Sequence, residues 1–412
     1  MMNTSNSDEC SHANEGAAGR MPLAGIRVLD LSRVLAGPLC AQMLGDYGAD
    51  VIKVEPPAGD QGRSSGPPYL DGDSAMYYGL NRNKRGIALD LSRPEGRDVM
   101  HQLLGDADVL IHNFKPGTLE RWGLDYDTLK ADFPRLIMVS ITGFGATGPL
   151  GGTPGYDGSA GAWAGVIAAN GSIESGPMRL GISVVDVSTG LHAALGVLLA
   201  LQARNHTDRG QHIDLALFDC SLPLLNPHVA NWLQGGERTP LTGNQHPTFT
   251  PMGVYQTADH PIYLAVSTDR NFVALCNVLG RPEWAADPRF ASMAARARHR
   301  TELIELITQA FSREKAQELA LRLNATGIPA GAVLHVAEAL AHPHTLHRNM
   351  YVEVDGYRTI GLPIKLSDTP GQIRRVPPAF GQHTHEVLAE AGLDEETITR
   401  LQDQGISPEQ RG

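Results

Sequence analysis

The stretch LAGIRVLDLSRVLAGPLCAQMLGDYGADVIKVE, residues Leu23–Glu55, indicates the fold class of this 412-residue chain. Ile26–Leu31 is a short run of mostly branched apolar residues, as in buried strands. Pro38–Gly48 has the composition of a helix with small residues, and Val51–Val54 is a second apolar run. A strand, a helix and another strand in this order predict a parallel βαβ unit, the repeating unit of an α/β sheet covered on both faces.

The same alternation continues through the first half of the chain. We predict further strands over Gly86–Leu91, Val109–His112, Leu136–Ile141 and Gln211–Ala216, and helices over Pro94–Leu104, Tyr126–Asp132 and Thr189–Arg204. After Leu222 the alternation of strands and helices ends. The sequence then predicts a hairpin, Gly253–Gln256 with Ile262–Ser267, followed by helices near Asp269–Leu279, Arg300–Phe311 and Arg313–Leu323. We therefore predict a disordered extension over 1–21, a large Rossmann-like domain over 22–222, a linker and smaller α+β domain over 223–345, and a C-terminal segment over 346–412 with β-like runs and a helix at Thr384–Ala391.

Composition narrows the class of protein. The formal net charge of −11 argues against nucleic acid or an anionic membrane as the main partner. Four cysteines without paired spacing suit a reduced compartment without structural zinc, and the sixteen scattered histidines lack the carboxylate or cysteine frame of a metal site. No signal peptide and no membrane-spanning apolar run is evident. We expect a cytoplasmic protein with no bound metal.

One acid lies in an unusual place. In GISVVDVSTGLHAALGVLLAL, Gly181–Leu201, the residues Ile182–Val185 are predicted to end a strand, and Leu191–Leu201 to form an apolar helix. Asp186 lies at the junction, followed by Ser188, Thr189 and Gly190. Because carboxylates at helix N-termini are stabilised by free N–H groups, helix capping explains Asp186 as well as catalysis does.

A glycine motif follows the strand predicted at Leu136–Ile141. Gly143–Gly148, GFGATG, matches the dinucleotide-binding pattern GxGxxG. That fingerprint requires a helix to begin in the glycine turn. Here Pro149, two further glycines and Pro154 follow, so we expect a flexible loop rather than a dinucleotide site.

Two basic clusters suggest an anion site. Asn81–Arg85, NRNKR, precedes a predicted strand, and Asn113-Phe114-Lys115-Pro116-Gly117 follows one, with Arg121 just beyond. Loops at strand ends bind ligands in open α/β sheets, and cations beside an aromatic ring suit a phosphorylated, purine-bearing ligand. A solvated charged loop is the alternative for each cluster. Gly155-Tyr156-Asp157 is either a structural turn or part of the site, and Gly243–Pro247 is either a linker turn or a mobile lid.

These segments together resemble the class III CoA-transferases, the CaiB/BaiF family. The resemblance runs from about Leu23 to the C-terminus, through the blocks already quoted and through LNRNKRGIALDL, HNFKPGTLERWGLDYDTL, SITGFGATGP, GNQHPTFTPMGVY and PPAFGQHTHEVL. It implies a C-terminal segment that returns to the large domain and an interlocked homodimer. It also implies coenzyme A, as acyl-CoA, as the substrate, and no nucleic acid or membrane partner.

The resemblance assigns roles to individual residues. The family nucleophile falls on Asp186, which would form aspartyl anhydride and aspartyl-CoA thioester intermediates. Asp157 lies where some relatives have a second catalytic acid, and the family's glycine-rich lid falls on Gly243, Asn244, Gln245 and His246, with a single glycine. The positions that would contact CoA are Val34, Leu35, Ala36, Leu89, Asp90, Leu91, Ser92, Asn113, Phe114, Lys115, Arg121 and Tyr156.

Three activities are compatible with this resemblance. The blocks GDQGRSSGPPY, LNRNKRGIAL and GYDGSAGA look most like the branch that moves CoA between succinyl-CoA and dicarboxylates, which is the leading hypothesis. An α-methylacyl-CoA racemase is the second, although Tyr156-Asp157 stands where racemases have a His-Asp pair. A non-catalytic CoA-binding protein is the third.

Overall fold

The computed structural model describes residues 21–236, 238 and 240–409. The chain forms two compact units. The first comprises described residues up to Val166, Gly181–Leu224 and Asn349 onward, and the second comprises Ile167–Leu180 and Leu225–Arg348. Met21, the first described residue, is buried. The extension predicted before it lies outside the described residues.

The first unit is built on a six-stranded parallel sheet. Its strands are β1 (Arg27–Asp30), β2 (Asp50–Glu55), β3 (Lys84–Ala88), β4 (Val109–His112), β5 (Ile137–Thr142) and β6 (His212–Ala216). The spatial order is β6-β5-β4-β1-β2-β3, and every neighbouring pair is parallel. The strand order therefore reverses between β1 and β4, which is where ligands bind in sheets of this kind.

Helices cover the sheet on both faces. One apolar cluster packs Leu29, Ile52 and Leu110 against the helices of one face, and a second packs Val28, Val109 and Val139 against those of the other. The helices of this unit are Ala36–Asp46, Ala75–Leu80, Pro94–Leu104, Thr118–Trp122, Tyr126–Asp132, Asp157–Ala164, Val184–Thr207, Leu217–Ser221, Thr384–Glu390 and Glu395–Asp403. Two small antiparallel pairs, Tyr69–Leu70 with Asp73–Ser74 and Tyr351–Val354 with Tyr357–Ile360, complete it.

The second unit has its own core. Its three-stranded antiparallel sheet pairs Met252–Tyr255 with Ile262–Ala265, and Ile262–Ala265 with Ala330–Ala332. A short hairpin, Gly171–Ser172 with Gly176–Pro177, also belongs to this unit. Its helices are His228–Gly235, Asp269–Val278, Glu283–Ala286, Met293–Arg298, Arg300–Phe311, Ala316–Ala325, Val336–Ala341 and Pro343–His347. The predicted α/β class, with a parallel sheet and a smaller α+β part, is confirmed.

One strand prediction was wrong. Ile182–Val185 does not form a strand, because the helix that carries Asp186 begins at Val184 and runs to Thr207. Three of these four residues, Ile182, Val184 and Val185, are branched and apolar, which favours a strand by propensity. In the fold, the side chain of Val185 instead belongs to the apolar cluster beneath the helix, and this packing overrides the propensity.

The anion-site prediction for Asn81–Arg85 was also wrong. All five residues are buried at or just before the start of β3, so they lie at the end of the sheet opposite to the carboxyl ends of the strands. Arg82 pairs with Asp46 at 2.7 Å, Lys84 with Asp30 at 2.8 Å and Arg85 with Asp50 at 2.7 Å. Each cation is therefore used inside the fold, where an unpaired charge would be costly to bury.

Candidate functional site

A cavity of about 480 Å³ opens where the strand order reverses. Its walls come from the loops that follow β1, β4 and β5 and from the first turn of the Val184–Thr207 helix. The lining residues are Arg33, Val34, Leu35, Ala36, Gln61, Asn113, Phe114, Lys115, Pro116, Thr118, Trp122, Ile141, Thr142, Gly143, Gly145, Gly152, Thr153, Pro154, Gly155, Tyr156, Asp186 and Leu217. The cavity thus contains eight of the predicted residues: Val34, Leu35, Ala36, Asn113, Phe114, Lys115, Tyr156 and Asp186.

The loop after β1 is held firmly in place. Val34 has a left-handed backbone, φ +69°, which is unfavourable for a β-branched residue. Its N–H donates to Asp60 Oδ1 at 3.2 Å, and the buried ammonium of Lys53 donates to Asp60 Oδ2 at 2.8 Å. These contacts fix an otherwise strained turn, which positions the wall formed by Val34, Leu35 and Ala36.

Asn113 ties the loops after β1 and β4 together. Its side-chain Oδ1 accepts a hydrogen bond from the Arg33 N–H at 2.9 Å, and its Nδ2 donates to the Arg33 carbonyl at 2.8 Å. Both ends of the amide are therefore occupied within the protein. Asn113 contributes to the cavity mainly by bracing its two walls across the point where the strand order reverses.

Aromatic side chains form the wall after β4. The Phe114 ring packs edge-on against Trp122, with centroids 5.4 Å apart, and stacks on His112 at 6.0 Å. The exposed Lys115 follows directly. An apolar ring beside a free cation can hold a ligand that has both a flat or aliphatic part and an anionic group.

Asp186 lies in the first turn of its helix and faces the cavity. No described residue donates a hydrogen bond to its carboxylate or forms an ion pair with it. Burial, and secondarily the negative charge of Asp157, raise the pKa of Asp186 to about 6. A carboxylate that is partly desolvated and free of partners is available to react with a bound molecule.

Asp157, not Asp186, caps the helix. Its Oδ2 accepts the N–H of Val185 at 2.9 Å and the N–H of Asp186 at 3.3 Å. The N-cap residue itself, Ser183, makes no side-chain capping bond. The helix-cap explanation of Asp186 is therefore wrong. The same contacts occupy the N–H groups of Val185 and Asp186, so these groups are not free to stabilise an oxyanion.

The glycine motif behaves as predicted in one respect. No helix begins within Gly143–Gly148, and the next one starts at Asp157. The segment instead folds back on itself: Gly152 N–H donates to the Gly145 carbonyl at 3.1 Å. It therefore forms a rim of the cavity and not a dinucleotide-binding turn.

Several predicted positions do not line this cavity. Leu89 and Leu91 are buried in the apolar core, and the Asp90 carboxylate accepts hydrogen bonds from Ser92. Arg121 is exposed beside Thr118, to which it donates at 3.3 Å. The predicted lid residues belong to the second unit, where Gly243 has φ +59° and the carbonyl of His246 accepts from Arg300 at 2.8 Å. Within the unit, Asn244 accepts from the Val254 N–H, and Gln245 Oε1 from the Tyr255 hydroxyl.

Sequence reasoning missed Arg33, Trp122 and Thr142 as lining residues. The position of Arg33 directly after a predicted strand was an available signal, since it shares the loop with Val34. The sequence contains no comparable signal for Trp122 and Thr142, because their position at the cavity depends on how loops distant in sequence pack together. Among the described residues, no group of three or more His, Cys, Asp or Glu side chains is placed to hold a metal ion.

The helix that carries Asp186 is long and apolar enough to span a membrane by length and composition alone. In this structure one face of the helix packs in the apolar core of the first unit. Val185, Ala193 and Val197 pack in the apolar cluster, and the buried Arg204 pairs with Asp108 at 2.8 Å.

Comparisons with known proteins agree on one family. The sequence profile of CoA-transferase family III matches residues 23–384. A succinate–glutarate CoA-transferase from Agrobacterium fabrum is 39% identical over 92% of this chain and 98% of that protein. A succinyl-CoA–D-citramalate CoA-transferase from Chloroflexus aurantiacus is 37% identical over 92% of this chain and 97% of its own length. The crystal structure of a CaiB/BaiF family protein from Brucella suis superposes with a TM-score of 0.85, at 38% identity, and covers 90% of this chain and 100% of that one. The chain therefore belongs to CoA-transferase family III.

Proposed function

We propose that this protein transfers CoA from succinyl-CoA to a second carboxylic acid, a dicarboxylate, with Asp186 as the nucleophile. The observation that carries the proposal is the unpaired Asp186 carboxylate in the wall of the cavity. The named activities of the Agrobacterium and Chloroflexus relatives support the choice of donor and acceptor class.

The proposed reaction balances without an external reagent. The Asp186 carboxylate attacks the thioester carbonyl, the C–S bond breaks, and CoA leaves as the thiolate, which gives a mixed anhydride. The thiolate then attacks the aspartyl carbonyl and releases succinate, leaving an aspartyl-CoA thioester. The acceptor carboxylate attacks that thioester to form a second anhydride and free the thiolate, which attacks the acceptor's carbonyl and restores Asp186.

The surroundings of Asp186 suit this role. With a pKa of about 6 the group is ionised at neutral pH, and it is a more basic and stronger nucleophile than an ordinary aspartate. Its first-turn N–H groups are held by Asp157, so the carboxylate is not tied down by its own helix. Phe114, Lys115 and the loop of Val34, Leu35 and Ala36 would contact the CoA, with Tyr156 near the reacting end. Asp90, Ser92 and Arg121, which do not line the cavity itself, would continue that site.

The test is a direct assay of transfer. Incubation with succinyl-CoA and a panel of carboxylic acids should give new thioesters, identified by mass, and hydroxylamine should trap the acyl-enzyme on Asp186. Asp186→Ala should abolish turnover and retain CoA binding. Transfer that persists in Asp186→Ala would overturn the assignment of the nucleophile.

The alternatives make different predictions. A racemase exchanges the α-proton of an acyl-CoA with solvent deuterium in the absence of an acceptor acid. Asp157, the remaining member of the racemase pair, uses one oxygen to cap the helix, and Tyr156 replaces the histidine. A non-catalytic CoA-binding protein would show neither exchange nor transfer.

We further propose that the protein is a cytoplasmic homodimer. Val187, Leu191, Leu195 and Leu198 recur at helical spacing on the Val184–Thr207 helix, and all four are exposed in the single chain. A continuous apolar face of this kind is commonly covered by a partner. The described cysteines Cys40, Cys220 and Cys276 are free, as a reducing compartment favours.

A further inference from the structure

Arg33 is a cation in the cavity wall that no described carboxylate neutralises. Its backbone is fixed on both sides by the Asn113 amide, at 2.9 and 2.8 Å. Its guanidinium carbon lies 5.0 Å from the centre of the Phe114 ring. The side chain is therefore held over an aromatic surface that itself lines the cavity.

The Arg33 guanidinium is incompletely satisfied within the protein. Its Nε is buried and has no hydrogen-bond partner among the described residues. By contrast, the five described arginines that are buried all have a carboxylate partner within 2.8 Å: Arg63, Arg82, Arg85, Arg204 and Arg296. A buried donor without an acceptor costs free energy, so a molecule that brings an acceptor to Arg33 would recover that cost on binding.

We infer that Arg33 binds an oxyanion of the substrate, an inference that rests on the proposed function. The planar guanidinium presents paired N–H donors that match the two oxygens of a carboxylate or a phosphate group. Two parts of the bound thioester have this chemistry: the free carboxylate of a dicarboxylic acyl group, and the phosphates of CoA. A contact to the free carboxylate makes Arg33 the residue that selects dicarboxylates. A contact to phosphate makes it part of the general CoA site.

Four ligands distinguish a contact to the free carboxylate from a contact to phosphate. Succinyl-CoA and butyryl-CoA differ at the end of the acyl chain, where one has a carboxylate and the other a methyl group. CoA and 3′-dephospho-CoA differ by one phosphate. Dissociation constants for all four would be measured by calorimetry in an Asp186→Asn background, which prevents turnover, with Arg33, Arg33→Met or Arg33→Lys. Arg209→Met, an exposed arginine at the opposite end of the sheet, is the matched control.

We expect Arg33→Met to weaken at least one ligand class about tenfold or more, because a charge-assisted contact is lost. Loss confined to succinyl-CoA identifies the carboxylate. Equal loss for succinyl-CoA, butyryl-CoA and CoA identifies a phosphate, and a smaller loss for dephospho-CoA assigns it to the 3′ position. Arg33→Lys keeps the charge without the paired donors and should recover part of the affinity.

Dissociation constants in Arg33→Met within about twofold of the Arg33 protein for all four ligands would overturn the inference. Thermal unfolding identifies a variant that has lost its fold, and in that case Arg33→Gln, which also removes the charge, is measured against the same twofold criterion. Failure of the proposed function looks different: the protein with Arg33 and Asp186 intact would then transfer CoA to no acid in the panel, whatever the dissociation constants of the Arg33 variants.

Discussion

The Asp186→Asn substitution should make the folded protein more stable while it abolishes transfer. The carboxylate lies partly buried in the cavity wall, without a hydrogen-bond donor among the described residues and near Asp157. Asparagine has nearly the same shape and no charge, so it removes the unfavourable desolvation and repulsion and leaves the packing intact. A proposed nucleophile that destabilises the fold when it is ionised is expected where function and stability compete.

The magnitude follows from the pKa. In the folded protein the pKa of Asp186 is raised from the ordinary 3.8 to about 6, by burial first and by Asp157 second. At about 1.36 kcal/mol per pH unit, ionisation of Asp186 costs the folded state up to about 3 kcal/mol above pH 6. Solvent contact lowers this figure, so we expect about 1–3 kcal/mol of stabilisation in Asp186→Asn at pH 8.

The sign of the pH dependence is fixed by linkage. Because the folded pKa lies above the unfolded one, the folded state binds more protons between about pH 4 and pH 6. The stability that comes from protonated Asp186 is therefore lost as the pH rises through about 6. The advantage of Asp186→Asn over the natural protein should grow by about 1 kcal/mol between pH 5 and pH 8.

Urea unfolding followed by circular dichroism at pH 5 and pH 8 would measure this difference. Other titrating groups cancel in the comparison of variant with natural protein. Asp98→Asn, which removes an exposed helical carboxylate, controls for the change in net charge. An Asp186→Asn protein that is no more stable at pH 8 than the natural one, or whose advantage does not grow with pH, would contradict the description of Asp186 as a desolvated, unpaired carboxylate.

Three further outcomes are expected. The rate of the first acyl transfer should decrease as the pH falls below about 6, because Asp186 becomes protonated. Asp157→Asn should move this decrease to lower pH, because it removes a charge that repels the Asp186 carboxylate. A decrease at the same pH in the pH–rate profiles of both proteins would count against the electrostatic role of Asp157. Lys84→Met should lower the free energy of unfolding by about 3 kcal/mol or more, because it leaves the buried Asp30 carboxylate without its ammonium partner. A decrease of less than about 1 kcal/mol, measured by urea titration, would refute the importance of this buried pair. Leu195→Glu should shift the protein toward monomer in sedimentation experiments, whereas an unchanged mass would exclude that helix face from the interface.

The fold was largely predictable because its sheet is parallel. A parallel strand is buried on both faces and reads as a continuous apolar run, and the intervening helices read at a different period. Val109–His112, Pro94–Leu104 and Tyr126–Asp132 were predicted with the same bounds as in the structure. The failure at Ile182–Val185 has the same origin, since a short branched run at the start of a helix cannot be told from a strand by pattern.

The residues of the cavity wall were more predictable than the interactions that they make. Asn81–Arg85 and Asn113–Lys115 are both basic clusters next to a strand. The cations of Asn81–Arg85 form ion pairs with carboxylates inside the fold, whereas Asn113–Lys115 lines the cavity. The difference depends on which end of a strand each cluster adjoins, and on acids far away in the chain such as Glu386, which pairs with Arg85. Neither is visible in local sequence, because charge pairing over 300 residues is a property of the packed fold.

The least predictable feature is the way two acids divide one helix N-terminus. A carboxylate in the first turn of a helix is normally stabilised by free N–H groups and by the helix dipole, which lower its pKa. Here the carboxylate of Asp157, on a neighbouring helix, accepts the hydrogen bonds of the Val185 and Asp186 N–H groups. Asp186 is thereby left in the first turn without a donor among the described residues to neutralise its charge, and burial first and the negative charge of Asp157 second raise its pKa instead of lowering it. In the proposed mechanism Asp157 is therefore a positioning residue: it caps the helix while the carboxylate of Asp186 stays basic and unpaired.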